Sequence, residues 1–292
     1  MAEWYYDIET GFLMSKMNGE NKDIKNRKGA RSMKEIPSAI LRKLNAGEIE
    51  AVNLTESLAI DQKKLLENFL LQNGRTDYLE PILKSVDTAA KISYNTMSEI
   101  IGEELLLQAG KHGDEQLFSL LRNHLSDMVR CWAAYFISRD KALSIAELLE
   151  KIKPFAADSH FGVREIAWLS VRPRIAEELL PSIEILSSWT SSLDENIRRF
   201  STESTRPRGV WCKHIPLLKE SPEVALPILE PLKSDSSKYV RDSVGNWLND
   251  ASKSNPIFVQ EICTRWCAES DTKETRYIVK KALRTLSKKS NI

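Results

Sequence analysis

One carboxylate, Glu203, stands alone among cations. Between Arg198 and His214 the chain carries Arg198, Arg199, Arg206, Arg208 and Lys213, and Glu203 is the only acid in that stretch. Arginine forks match phosphate oxygens and lysine supplies a point charge, so a local basic stripe on a chain of net charge +1 suits a polyanion. A single acid inside such a groove marks a position where chemistry could be done. The plainer reading is an ion-pair ladder: Arg199, Glu203 and Arg206 follow one another along a helix at i, i+4 and i+7, worth a few tenths of a kcal/mol per pair.

Other chemistries find less support. Cys131, Cys212, Cys263 and Cys267 are too scattered for a disulfide framework. Cys263 and Cys267 lie four apart on a predicted helix, but His112, His124, His160 and His214 offer no matching ligands, so no metal and no cofactor is expected. The cysteines read as small buried hydrophobes. No apolar run approaches the roughly 20 residues that span a bilayer. The acidic, aromatic start Met1-Ala2-Glu3-Trp4-Tyr5-Tyr6-Asp7 is not a secretory signal, and a cytoplasmic protein without membrane contact is expected.

The elements that would position these residues are helices in a repeat. Asp127-Met-Val129-Arg130, Phe161-Gly-Val163-Arg164, Asp194-Glu-Asn-Ile197-Arg198, Asp235 to Val240-Arg241 and Asp271 to Thr275-Arg276 share one landmark, a β-branched residue followed by arginine. The arginines are separated by 34, 34, 43 and 35 residues, the period of helix-pair solenoids. The long interval holds Arg206-Pro207-Arg208-Gly209-Val210-Trp211, and insertions of this kind map to loops on one face, often the binding face. Val240, Val244, Trp247, Leu248 and Ala251 form one apolar stripe; Val163, Ile166, Ala167, Ser170 and Val171 form another, and Ile197, Phe200, Ser201 and Ser204 a third. Such stripes can be buried only against a partner helix and the next repeat. The partners are predicted over 175–189 and 222–232, with Pro181 and Pro227 kinking them.

The fold class is therefore all-α, a solenoid of HEAT-like helix pairs with a concave inner surface. Residues 1–33 read as a mobile or loosely docked arm, and 34–292 as a single repeat domain whose repeats are clear from about 127. Upstream, Asp61 reads as an N-cap and Asn73-Gly74 as a C-cap. Aligning the repeats on their arginines exposes a polar line: Glu165, Leu169 and Arg172 with Arg164 and Trp168 beside it, then Arg198, Thr202, Thr205 and Arg199, Glu203, Arg206, then Arg241, Asp242, Asn246, Asn249 and Lys253. The landmark arginine could equally brace an aspartate of the neighbouring repeat. Trp189 and Trp247 read as core; Trp168 and Trp211 are open to either core or function.

The segment Ile197-Arg-Arg-Phe-Ser-Thr-Glu203-Ser-Thr-Arg206-Pro207-Arg208-Gly-Val-Trp211, with Tyr239-Val-Arg241 to Asn249-Asp250-Ala-Ser-Lys253, resembles the signature block of bacterial HEAT-like DNA alkylation repair proteins, closer to the AlkC type than to the AlkD type. The specific likeness covers about 160–256, and the repeat pattern carries it to the C-terminus. The resemblance implies a concave basic cradle for duplex DNA and a monofunctional glycosylase that releases cationic N-alkylated bases such as N3-methyladenine; a monomer is expected. It implies Glu203 as the catalytic acid, stabilising an oxocarbenium-like sugar and positioning water, with Trp211 as the nearby aromatic; Trp168, on the polar line of the preceding helix, is a further catalytic candidate. Phosphates would be held by Arg164, Arg172, Arg198, Arg199, Arg206, Arg208, Lys213, Arg241, Asn246, Asn249 and Lys253. One departure stands out: the family's second acid comes from the preceding helix, where this chain has Trp168-Leu169 with Glu165 one turn earlier. No appended C-terminal domain is expected. Two alternatives remain beside the glycosylase: a non-catalytic binder of distorted DNA, and a protein-interaction scaffold.

Overall fold

The computed structural model describes residues 27–290, with side chains to 288; the predicted arm falls, in its residues 1–26, outside the described part. Among the described residues there is no strand. The upstream helices are α1 (Ser38–Asn45), α2 (Leu54–Ala59), α3 (Gln62–Gln72), α4 (Leu79–Thr88), α5 (Tyr94–His112) and α6 (Leu117–Arg122). The landmark region follows as α7 (Asp127–Ser138), α8 (Ile145–Ala156), α9 (Phe161–Glu177), α10 (Leu179–Trp189), α11 (Glu195–Glu203), α12 (Pro216–Glu220), α13 (Leu226–Leu229), α14 (Lys238–Ala251), α15 (Pro256–Glu269), α16 (Lys273–Ala282) and α17 (Arg284–Ser290).

Every landmark sits in the first turns of a helix of one layer. In that layer α5 packs on α7, α7 on α9, α9 on α11, α11 on α14 and α14 on α16; α8, α10 and α13 form a second layer behind it. The periodicity explains the arrangement, because each landmark helix buries its stripe toward the second layer and its neighbours. Val163, Ala167, Val171, Val240, Val244, Trp247, Leu248 and Ala251 are fully buried, and Ile197 and Phe200 nearly so. One continuous apolar core runs from Leu44 to Ala282. Burying a side chain of this size stabilises the array by about 1.5–3 kcal/mol relative to exposure.

Local signals at several helix ends act as their chemistry dictates. Asp61 accepts the Lys64 amide, Asp194 the Asn196 amide and Ser237 the Tyr239 amide. Gly74 follows the C-cap Asn73 with φ of +68°, a conformation that glycine adopts without strain. Residues 27–33 lie against the upstream helices, where Arg27 donates to a buried Glu56 carboxylate at 2.6 Å and to the Glu50 carbonyl.

Five sequence expectations are corrected. The second-layer helix predicted over 175–189 starts at Leu179, because α9 runs on to Glu177. Pro181 thus lies in the first turn of α10, where a missing amide breaks no helical bond and forces no kink. The stretch 222–232 is not one helix but a 3-10 turn, the short α13 beginning Leu226-Pro227, and a second 3-10 turn. Thr202 and Thr205 do not line the polar face; both are fully buried, and their hydroxyls turn back onto the Arg199 and Ser201 carbonyls. Finally, Cys267 is exposed while Cys263, one turn away, is buried.

Candidate nucleic-acid interface and carboxylate pair

Helix α11 ends at Glu203 because Pro207 lies close behind: proline has no amide to donate, and its ring disfavours helical geometry in the residue before it. A carboxylate in the last turn faces the negative end of the helix dipole and needs cations to hold it. Arg206 Nη1 donates to Glu203 Oε2 at 3.2 Å, Arg199 Nη2 stands 3.8 Å from Oε1, and Ser243 Oγ on α14 donates to Oε1 at 2.7 Å. Glu203 is only 4% exposed.

Glu203 is not isolated. Asp250, in the last turn of α14, accepts Arg206 Nε at 2.9 Å and Nη2 at 2.5 Å on Oδ2, while Lys253 Nζ reaches Oδ1 at 2.9 Å. Arg206 thus lies between two buried carboxylates from successive landmark helices. Burial pulls its basicity down, but Glu203 and Asp250 outweigh that and raise it above the ordinary arginine value. On the other side Arg199 donates to Glu165 Oε1 at 2.7 Å and lies over the Tyr239 ring at 4.2 Å; its basicity is lowered by burial and raised on balance by Glu203 and Glu165. Trp168 Nε1 donates to Glu165 Oε2 at 2.8 Å. The chain Trp168–Glu165–Arg199–Glu203–Arg206–Asp250–Lys253 therefore crosses α9, α11 and α14 as one charge-alternating network.

The loop after α11 is shaped by Arg172. This residue is 2% exposed and touches no carboxylate; it donates to the carbonyls of Ser204 at 2.9 Å, Arg206 at 2.5 Å and Lys213 at 3.3 Å. Burial lowers its basicity. Trp247 Nε1 adds a bond to the Thr205 carbonyl, and the Ile215 amide closes the loop on the Pro207 carbonyl. At the tip Trp211 is 89% exposed and adopts φ of +63°, a left-handed backbone that costs an L-residue about 1–2 kcal/mol. Arg208 donates to Ser254 Oγ, and Lys213 is exposed beside the loop.

Not every residue predicted for phosphates faces outward. Arg172 is buried with its donors spent on carbonyls, and Asn249 is buried, accepting from the Thr285 amide and hydroxyl. Arg198 holds Asp235 through Nε and Nη2 at 2.7 and 3.0 Å, which makes it an inter-repeat brace. Arg164 and Arg241 fold back onto the turns before their own helices. Asn246 accepts from Arg284 at 2.8 Å. Trp168 is core-buried with a polar tip, whereas Trp211 projects. Asp250 and Ser243 were missed in the sequence. Asp250 stands one residue after Asn249, and only the fold brings it to Glu203.

No protein-family model matches the chain. It is 38% identical over 147 residues to the uncharacterized protein YhaZ of Bacillus subtilis (strain 168), a match spanning 50% of this chain and 40% of that protein. Among solved structures, a Pseudomonas fluorescens alkylpurine DNA glycosylase AlkC, bound to DNA containing an abasic site analog, superposes with a TM-score of 0.63 at 21% identity, covering 90% of this chain and 67% of that one. AlkD2 from Streptococcus mutans gives 0.53 at 24% identity, over 70% of this chain and 97% of that one. The protein smu.31 from Streptococcus mutans UA159 gives 0.51 at 23%, over 76% and 98%. At these identities the likeness establishes a shared helical-repeat fold. Among the described residues no helix is long and apolar enough to cross a membrane.

Proposed function

We propose that this protein is a DNA-binding alkylation-repair glycosylase, working as a cytoplasmic monomer whose residues 34–292 form a single HEAT-like repeat domain, and that it releases cationic N-alkylated bases. The observation that carries the reading is the buried carboxylate pair Glu203 and Asp250, 4% and 3% exposed, beside the projecting Trp211. Its support comes from a fold shared over 90% of the chain with a DNA-bound alkylpurine glycosylase.

A positively charged alkylated base needs no acid to leave: the C1′–N bond breaks, its electron pair neutralises the base, and positive charge moves to the sugar. Glu203 faces that charge, takes the proton of the water that adds to C1′, and is held in place by Ser243 and Arg206. Asp250 is the second acid, supplied by the following landmark helix rather than the preceding one. Trp211 offers an exposed π-face to a base or sugar.

The test is base release from alkylated duplex DNA. Glu203→Gln is expected to lower the rate by about 10²–10³-fold, the scale of losing one electrostatic group at a reacting centre. Unchanged release would remove Glu203 from the mechanism. The occupation of both carboxylates by Arg206 favours a second reading, a binder of distorted DNA without chemistry; wild-type protein that binds but releases no base would establish it.

A further inference from the structure

The landmark arginines are built alike on one edge and differently on the other. In Arg130, Arg164, Arg198 and Arg241 the Nη1 group donates to the two carbonyls five and six residues back: His124 and Leu125, Asp158 and Ser159, Ser192 and Leu193, Asp235 and Ser236, all within 2.6–3.2 Å. That bond fixes each guanidinium at the mouth of its own helix. The opposite edge, Nε with Nη2, is the fork that matches a carboxylate or a phosphate bidentately.

Two forks are filled from within. Arg130 grips Asp158 at 2.8 and 3.1 Å, and Arg198 grips Asp235 at 2.7 and 3.0 Å. In each case the acid comes from the turn of the next repeat, six residues before the next landmark arginine. The same position reads Asp158, Ser192, Asp235 and Ser270 along the array. Where serine stands, the preceding arginine meets no carboxylate. Arg164 and Arg241 each keep a buried Nε without a hydrogen-bond partner, and each guanidinium lies near the tyrosine of a later repeat, Arg164 over Tyr239 at 5.7 Å and Arg241 over Tyr277 at 5.6 Å.

At Ser192 the turn chemistry is kept and only the charge differs, whereas Ser270 Oγ meets Thr275 Oγ1 instead. Asp158 accepts the His160 amide at 2.7 Å, Asp235 the Ser237 amide at 2.7 Å, and Ser192 the Asp194 amide at 3.2 Å. Ser192 keeps the local turn bond of the aspartates and drops only the charge that would close the fork.

We infer that Arg164 and Arg241 are the phosphate-holding landmark arginines, each presenting a guanidinium Nη2 that no carboxylate claims to the phosphodiester oxygens of duplex DNA, while Arg130 and Arg198 are closed by Asp158 and Asp235 and serve the array. This rests on the DNA-binding reading above and sharpens it: the basic residues of one motif divide into two alternating jobs.

The experiment measures binding of duplex DNA across a salt series, with circular dichroism melts of every variant. Each phosphate neutralised contributes about 0.9 to the slope of log affinity against log salt, so Arg164→Gln and Arg241→Gln are each expected to flatten the slope by about one and weaken binding roughly eightfold at about 0.1 M salt. Arg130→Gln, which loses an internal brace, is expected to melt earlier with the slope intact. Ser192→Asp and Ser270→Asp supply the missing carboxylate; they are expected to weaken binding and flatten the slope without lowering the melting point. If Arg164→Gln and Arg241→Gln bind with the wild-type slope, or the two aspartate variants bind as wild type does, the division of labour is overturned while DNA binding stands. Wild-type protein that binds no DNA at low salt overturns both.

Discussion

Removing Arg206 tests the organisation of the site most directly. Arg206 spends three donors on Glu203 and Asp250, and both carboxylates are 5% exposed or less at the side chain. In Arg206→Met the bulk of the side chain is kept and the charge is lost. Taking one partner from a buried ion pair destabilises by about 3–5 kcal/mol, because the remaining charge is left uncompensated in a poorly solvated place. Here two charges are left, but neither is bare: Glu203 keeps Ser243 and the more distant Arg199, and Asp250 keeps Lys253. The loss therefore falls at the low end, about 3 kcal/mol. For a chain of this size each kcal/mol moves the melting midpoint by about 2–4 °C, so a drop of about 6–12 °C is expected in a circular dichroism melt. Neutralising the stranded acids isolates the cause, since Glu203→Gln and Asp250→Asn added to Arg206→Met are expected to restore most of the loss. A midpoint within about 1 °C of wild type, or a triple variant no better than Arg206→Met alone, would refute the electrostatic account.

Three further outcomes follow from the geometry. Arg172→Met removes the donors that hold the Ser204, Arg206 and Lys213 carbonyls; at about 1.5–3 kcal/mol for a hydrogen bond to a charged group, with partial rehydration of the loop, a loss of about 3 kcal/mol and faster proteolysis at 206–214 are expected. In Trp211→Gly the relief of about 1–2 kcal/mol of left-handed strain offsets about 0.5–1 kcal/mol of added chain entropy, so the variant should melt no earlier than wild type while its DNA affinity falls; earlier melting would mean that Trp211 packs. Asp242 is pushed up by burial but held on balance well below the usual carboxylate range by Lys238, Lys281 and Tyr277. Its contribution is fully present above its unfolded value near 3.8 and is lost progressively as pH falls toward the folded value, so the stability gap between wild type and Asp242→Asn should narrow on acidification from pH 5 to 2 in urea titrations.

Much of the framework was legible in the sequence because it is periodic. The landmark of a β-branched residue followed by arginine marks the register of helices α7, α9, α11, α14 and α16, and the stripe from Val240 to Ala251 is buried as its spacing required. Caps such as Asp61 were readable for the same reason: the relevant bond spans three residues, and local chemistry alone determines it. Pro181 shows the limit of that reading, since whether a proline kinks a helix depends on where the helix begins, and that boundary was set by the continuation of α9.

Periodicity alone specifies a stack of helix pairs, the place where its period slips, and a carboxylate, Glu203, among cations at the slip. Which of those cations matter depends on packing between distant helices. Arg206 meets Asp250 across 44 residues of sequence, and Ser243 reaches Glu203 across 40. The sequence treats every landmark arginine as equivalent; the fold separates them by what the next turn presents to each fork. The physical reason is that helical periodicity is set by bonds between near neighbours, whereas a buried charge is governed by whichever partners the packing of distant helices brings within about 3 Å.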